Sequence, residues 1–205
     1  SCIYIVDNNF YKELFVADPV WTAQYNYNTT PELNGFTRIL YKTPVVTEVR
    51  TGPTANRRVQ INSASGDAVF LTSIVPALDP VLGATAEAVV NVTGPGDAGF
   101  ELTFLTKALL LQVYSSGIGL TVCDDVAGEQ FYLRQTPFNN IDTKVRLTLD
   151  GSNNVNVYRE GSGVVGPVPG GQCTKSFQRV LWWAEGSGTQ TFKGMKYYIG
   201  GAVAP

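Results

Sequence analysis

The sequence predicts an all-β protein, folded as a single two-sheet antiparallel β-sandwich over residues 1–205. Short segments in which apolar and polar residues alternate recur roughly every 8–12 residues, with Gly, Asp or Asn between them. No segment has a sustained helical period of 3.6 residues. Neither an internal repeat nor a long linker divides the chain, so we expect one domain.

The stretch Lys144–Gly161 is the clearest strand pair. Alternation runs on both sides of a polar loop that begins at Asp150-Gly151, a dipeptide typical of tight hairpin turns. The apolar positions are Val145, Leu147, Leu149, Val155 and Val157. The pattern predicts a β-hairpin with one buried face and one face in water.

Further strands are predicted wherever the same alternation returns. They are Ala84–Thr93, Phe100–Leu105, Leu109–Tyr114, Gly119–Val122, Phe131–Leu133, Val180–Trp183 and Phe192–Ile199. The stretch Gly161–Gly171 is rich in Gly, Pro and Val and is predicted to be a loop.

The composition of the chain restricts the kinds of partner that we expect it to bind. The net charge is −2 and only 16% of residues are charged, and the basic residues never cluster beyond Arg57-Arg58. We therefore expect no nucleic-acid partner. No stretch approaches the roughly 18 apolar residues that span a bilayer, so we expect no membrane insertion. The N-terminal residues lack a secretory signal, which leaves either a signal removed before Ser1 or a trimmed initiator Met.

Three cysteines leave at least one unpaired within the chain. Cys123 and Cys173 lie near predicted strands and could form a disulfide, which would suit an oxidising compartment. The alternative is three buried thiols that act as small hydrophobes. The sequence leaves both open.

Three groups of residues carry a family resemblance. Asp7-x-x-Phe10 is followed by Trp21, the hairpin reads R-L-T-L-D-G…N-V-Y, and Phe192-Lys193-Gly194-Met195 comes before the last strand. This order resembles the concanavalin A-like, laminin-G-type jelly roll, most closely over Ala84–Ile199. The resemblance implies a jelly-roll sandwich of the lectin-like kind. It also implies a possible calcium ligand at Asp7, although no carboxylate follows the F-x-G motif here.

No catalytic signature is found. The sequence contains no histidine, which excludes Ser-His-Asp and Cys-His sites. The Glu-x-Asp-x-x-Glu strand of family members that hydrolyse β-glucans is absent, and no strand is expected to carry two carboxylates on one face. A glycosidase site would have to be built from loops such as Asp124–Glu129. We therefore expect that the protein is not an enzyme.

Beside Asp7, a second candidate for metal binding is an acidic loop. Asp124-Asp125 with Glu129 is the densest acidic cluster, and its hard oxygens could bind Ca²⁺. A solvated loop is the favoured interpretation. No other cofactor is expected.

Aromatic residues are the main candidates for ligand binding. Trp182 and Trp183 are adjacent on a predicted strand, so they point to opposite faces. One should lie in the core, while the other could offer a flat surface to a sugar ring. Tyr25, Tyr27 and Tyr197 are similar candidates.

Two functions are compatible with these features. The first is a non-catalytic binding module for carbohydrate or surface recognition, in effect an adhesion domain. The second is a structural protein, a decoration or fibre protein on a virus (phage) particle or a similar assembly. Both imply an extracellular or virion-surface location. The expected partner is a glycan or a protein surface, with the chain itself in a homo-oligomer or a larger assembly.

Overall fold

The protein is built from β-strands alone over the described part of the chain. A computed structural model describes residues 20–25, 36–49, 51–53, 57–63, 68–74, 81–138, 140–174 and 178–205. These residues form two antiparallel sheets, which confirms the predicted all-β sandwich. No helix long and apolar enough to cross a membrane occurs among them. Asp7 and Tyr27 lie outside the described residues.

The described strands are numbered along the chain. They are β1 Ala23–Tyr25, β2 Thr37–Tyr41, β3 Val45–Val49, β4 Arg58–Ser63, β5 Ala68–Ile74, β6 Ala84–Thr93, β7 Asp97–Phe104, β8 Lys107–Tyr114, β9 Gly117–Val122, β10 Gln130–Gln135, β11 Thr143–Leu149, β12 Asn154–Arg159, β13 Ser162–Pro169, β14 Arg179–Glu185 and β15 Gly188–Ile199.

Strands distant in sequence are neighbours in both sheets. Sheet A has the order β13-β12-β11-β6-β15-β4-β3, with β1 also paired to β15. Sheet B has the order β10-β9-β8-β7-β14-β5-β2. The last strand, β15, thus lies at the centre of sheet A between β6 and β4. Its position brings residues from three separate parts of the chain onto one sheet face.

The predicted hairpin is formed by β11 and β12, with Leu147 opposite Val157 and Leu149 opposite Val155. These side chains and Val145 are fully buried between the sheets. The alternation therefore predicted the register and the core face correctly.

The outer face of the hairpin is not in water along most of β11, because Arg146 and Thr148 are only 3% and 1% exposed. Arg146 and Lys196 pair with the two oxygens of Glu87, at 2.6 Å and 3.0 Å. Trp21 covers both cations, with its ring centre 4.2 Å from Lys196 Nζ and 5.5 Å from Arg146 Cζ. We call Glu87, Arg146 and Lys196 the ion cluster.

The C-terminal residues complete this cover. Arg146 donates to the carbonyl of Val203 at 3.1 Å. The Thr85 hydroxyl donates to the Gly201 carbonyl at 2.9 Å and accepts from the Val203 N–H at 3.0 Å. A burial pattern read along one strand could not show that the chain terminus returns over it, which is why the prediction of a wet face was wrong.

The prediction that Gly161–Gly171 forms a loop is also wrong. It contains β13, which pairs with β12 at the edge of sheet A. An edge strand leaves one row of N–H groups without a strand partner, so prolines are tolerated there. Gly and Pro were read as loop signals because the edge position is not visible in the sequence.

A disulfide joins Cys123 and Cys173, whose Cα atoms are 5.7 Å apart. This confirms one of the two alternatives that the sequence left open. The bond ties the segment after β9 to the segment between β13 and β14.

Truncating the hairpin core tests its packing. Leu147→Ala should lower the free energy of unfolding by about 2–5 kcal/mol, because it removes a fully buried side chain and leaves a cavity. Urea unfolding measures this loss. Leu133→Ala is the matched control, since Leu133 is half exposed on β10, and it should cost about 1 kcal/mol or less. Equal losses in both variants would contradict the assigned core face.

Candidate functional site

A cleft with only polar lining residues lies on the outer face of sheet A. Its volume is about 420 Å³. Relative to the ion cluster, it lies toward the C-terminal end of β6 and the N-terminal end of β15. We call it the polar cleft; its lining residues are Arg58, Gln60, Asn91, Thr93, Asn140, Asp142, Thr189, Thr191 and Lys193.

Strand register gives the floor of the polar cleft its order. Thr191 on β15 is directly opposite Gln60 on β4 and Asn91 on β6. The next outward-facing residue of β15 in this direction is Thr189, which is opposite Asn62 on β4 and Thr93 on β6. The rows are about 7 Å apart and their members about 5 Å apart, as sheet geometry requires. The result is a two-dimensional array of amide and hydroxyl groups.

One carboxylate stands at the wall of the polar cleft. Asp142 accepts from Asn91 Nδ2 at 3.0 Å and from the ammonium of Lys193. Burial alone would raise the pKa of Asp142, but hydrogen bonds from Lys193 and Asn91 and the charges of Lys193 and Arg58 together lower it. Asp142 is therefore ionised near neutral pH and holds Lys193 and Asn91 in fixed positions.

A β-bulge sets the position of Lys193. The pairing of β15 with β6 shifts by one residue between Lys193, opposite Val89, and Lys196, opposite Glu87. Gly194 has φ of 57° and so lies in the left-handed region that favours glycine. The F-x-G-x motif of the sequence is this bulge.

A second, smaller depression lies on the outer face of sheet B, with a volume of about 200 Å³. We call it the Trp183 groove, after the tryptophan on its wall. It is lined by Glu101, Leu110, Gln112, Arg179, Leu181, Trp183 and Glu185. Arg179 pairs with Glu101 at 3.2 Å.

The expectation that no two carboxylates share a strand face is wrong. Asp97 and Glu101 are four residues apart on β7, and the residues between them alternate into the core at Ala98 and Phe100. Glu185 on β14 is directly opposite Asp97. The first pair is spaced by four residues rather than two, so the expected two-residue spacing does not detect it. The second pair depends on β7 and β14 being neighbours, which the sequence does not show.

The Asp97 carboxyl group has an unusual pKa. Burial, then the nearby charge of Glu185, raise it from 3.8 to about 6, although hydrogen bonds from Gln112 and the backbone act against this. Burial, together with Asp97 and Glu185, also raises the pKa of Tyr114, which is opposite Asp97 on β8.

The aromatic candidates are distributed as follows. Trp182 and Tyr197 lie in the core, with ring centres 6.1 Å apart, and Phe36 packs edge-on against both. Their burial leaves neither ring open to a ligand. Trp183 lies on the opposite face of β14, in the Trp183 groove, but is only 5% exposed. Tyr25 lies on β1.

The acidic loop has a structural role. Asp124 Oδ1 accepts from the N–H groups of Val126 and Ala127 at 2.9 and 2.8 Å, which together hold its pKa below the usual value. Asp125 Oδ2 accepts from the Thr174 N–H at 2.9 Å. Asp125 lies near both Cys123 and Cys173, but the two sulfurs are bonded to each other and offer no thiolate to a metal. Asp124 and Asp125 thus hold the loop through hydrogen bonds to backbone N–H groups.

None of the residues that line the polar cleft was among the predicted site residues. Their polarity is visible in the sequence as the polar half of alternating strands, for example Arg58 and Gln60. What the sequence does not show is that β4, β15 and β6 are neighbours. A row assembled from residues 60, 191 and 91 has no sequence signature.

The fold is similar to that of several solved structures. The receptor-binding domain of botulinum neurotoxin D matches with a TM-score of 0.60 and 9% identity, over 89% of this chain and 49% of that one. The receptor-binding domain of botulinum neurotoxin type G matches with a TM-score of 0.63 and 10% identity, over 90% and 49%. A conserved carbohydrate esterase from Shiga toxin-encoding bacteriophage phi24B matches with a TM-score of 0.62 and 10% identity, over 88% and 99%.

The chain thus spans about half the length of the neurotoxin domains that it matches. At these identities the similarity shows a shared fold alone. No protein-family model and no curated protein sequence matches the chain.

The raised pKa of Asp97 predicts a pH-dependent stability. A carboxyl group with a folded pKa near 6 and an unfolded pKa of 3.8 destabilises the fold as pH rises from about 4 to about 6. Asp97→Asn should therefore increase the free energy of unfolding at pH 7 by about 1–3 kcal/mol and change it little at pH 4. Urea unfolding at both pH values measures the difference.

The control is Glu129→Gln, which changes an exposed acid on the loop before β10. It should leave stability nearly unchanged at both pH values. A loss of stability in Asp97→Asn at pH 7 would show that the ionised carboxylate stabilises the fold.

Proposed function

We propose that this chain is a non-catalytic binding module that recognises a glycan through the polar cleft on sheet A. The observation that carries the proposal is the composition of the cleft. Every lining residue is polar, and the floor is the ordered row of Gln60, Thr191 and Asn91. We also assign the sandwich to the concanavalin A-like, laminin-G-type class that the sequence resembles.

The chemistry of the cleft suits a ligand rich in hydroxyl groups. Amide and hydroxyl side chains both donate and accept, so they complement sugar hydroxyls, which do the same. The volume of about 420 Å³ lies within the range of small-ligand sites. Asp142, held by Lys193 and Asn91, supplies a fixed acceptor that need not reorganise on binding.

The carboxylates of the polar cleft support a non-catalytic role for it. Glycosidic cleavage generally needs two carboxyl groups about 5–10 Å apart. The polar cleft has one among its lining residues, Asp142, and it is paired with Lys193. Asp97, Glu101 and Glu185 lie on the other sheet. With no histidine in the chain, the commonest general base is also missing.

The similar structures support a role in surface recognition. Two are described as receptor-binding domains of neurotoxins and one as a bacteriophage protein. The Cys123–Cys173 disulfide suits an oxidising environment. We therefore place the protein outside the cell or on a virion surface.

A second candidate function is structural decoration of a virus particle. It is supported by the similarity to the bacteriophage protein over 99% of that chain. In addition, Phe131 and Leu133 are half exposed on β10, the edge strand of sheet B. Such an edge could pair with another subunit of a homo-oligomer or a larger assembly.

The cleft proposal is tested on a broad glycan array with a double variant, Gln60→Ala with Thr191→Val. The wild type should bind a defined subset of glycans. The variant should bind them at least about tenfold more weakly, because hydrogen bonds lost at two sites cost about 1 kcal/mol each or more. Thr121→Val, a hydroxyl-to-methyl change on the outer face of sheet B, is the matched control and should bind normally.

The glycans that bind should also be incubated with the protein and assayed for new reducing ends or unsaturated uronates. We expect none. Turnover that disappears in Asp97→Asn or Glu185→Gln would contradict the non-catalytic assignment. Glycan binding that the double variant retains in full would contradict the assignment of the cleft.

A further inference from the structure

Asp97 and Glu185 form an uncompensated pair of like charges. They are directly opposite each other on β7 and β14, and both lie on the outer face of sheet B. Like charges in this position destabilise a sheet. Among the described residues, neither carboxylate has an ion pair with a lysine or arginine. Gln112 Nε2 donates to Asp97 Oδ2 at 3.4 Å.

The charge of the Trp183 groove is therefore uneven. At one end Glu101 is neutralised by Arg179, at 3.2 Å. At the other end, Glu185 and the adjoining Asp97 carry two negative charges, and no described lysine or arginine forms an ion pair with either of them. Burial of Asp97, which is 8% exposed, makes this imbalance more costly than it would be in water.

One of the residues that line the groove has an unsatisfied donor. Trp183 is more than nine-tenths buried, and its Nε1 has no hydrogen-bond partner among the described residues. Buried indole N–H groups usually have an acceptor. Gly99 lies beneath the ring, and a Cβ there would be 3.2 Å from Trp183 Cζ2, so the indole lies close against β7 between Asp97 and Glu101.

We propose that the Trp183 groove binds an amino sugar with a free primary amine. The ammonium group would lie at Asp97 and Glu185, and a ring oxygen or hydroxyl would accept from Trp183 Nε1. An ammonium group has three N–H donors, enough for both carboxylates and the Tyr114 hydroxyl oxygen. This site is separate from the polar cleft and does not depend on it.

A metal ion fits these residues less well. Calcium takes six to eight oxygen ligands, and the two carboxylates supply only part of such a shell. Gln112 directs its N–H toward Asp97, and an indole N–H cannot ligate a cation. An amine with a neighbouring oxygen uses both the carboxylates and the orphaned donor.

The test is calorimetric titration with a fully deacetylated glucosamine trimer and with the N-acetylated trimer, near pH 7. The deacetylated trimer should bind and the acetylated one should not, because acetylation removes the positive charge. Asp97→Asn and Glu185→Gln should each weaken binding by about tenfold or more, the equivalent of roughly 1.4 kcal/mol. Binding should also weaken at about pH 5, where Asp97 takes up a proton.

Two controls make the result specific. Glu129→Gln removes an exposed acid elsewhere and should bind the trimer normally. The double variant of the polar cleft should also bind it normally, so failure of this site and failure of the glycan proposal are distinguishable. Asp97→Asn should remain folded, since it removes a buried charge. Equal binding of both trimers, no binding of either, or an equal loss in Glu129→Gln would overturn the proposal.

Discussion

The extra residue in the β-bulge at Gly194 determines which side chains of β15 lie on the outer face of sheet A. Without the bulge, Lys193 and Lys196 would point to opposite sides of β15, since strand side chains alternate. With it, Phe192 and Met195 both enter the core, and both lysines face outward. Lys196 joins the ion cluster with Glu87, while Lys193 holds Asp142 in the polar cleft. The bulge at Gly194 thus orients one lysine toward each half of the surface.

The two halves of the outer face of sheet A, the ion cluster and the polar cleft, differ in how their polar groups are paired. In one half, charged residues are paired, covered by Trp21 and capped by the C-terminal residues near Val203, so their charges stabilise the closure of the fold. In the other half, the polar groups line the polar cleft. The core beneath is continuous under both, as shown by the fully buried Ala86 and Val90 of β6. The floor of the polar cleft is therefore carried on neighbouring sheet strands, which suits a site of fixed geometry.

Much of the fold was predictable from the sequence, because burial on the core face follows local alternation. Leu147 and Val157 show this, as does β6, whose bounds of Ala84–Thr93 were predicted without error. The failures have a common cause, which is dependence on strands distant in sequence. Arg146 was predicted to lie in water because Val203, to which it donates, is more than fifty residues away in the sequence. The pairing of Asp97 with Glu185, and the row through Thr191, depend on strand order, which alternation does not encode.

The central claim is that the array of amides and hydroxyls on β4, β15 and β6 is the ligand-binding surface. The most direct measurement is an NMR titration of isotope-labelled protein with a glycan that it binds, followed through backbone and side-chain amide shifts. We expect the largest chemical-shift changes at Gln60, Asn91 and Thr191, and only small changes at the amides of the ion cluster and of sheet B. Saturable shifts confined to sheet B or to the loops around Cys123, with the polar cleft unaffected, would contradict it.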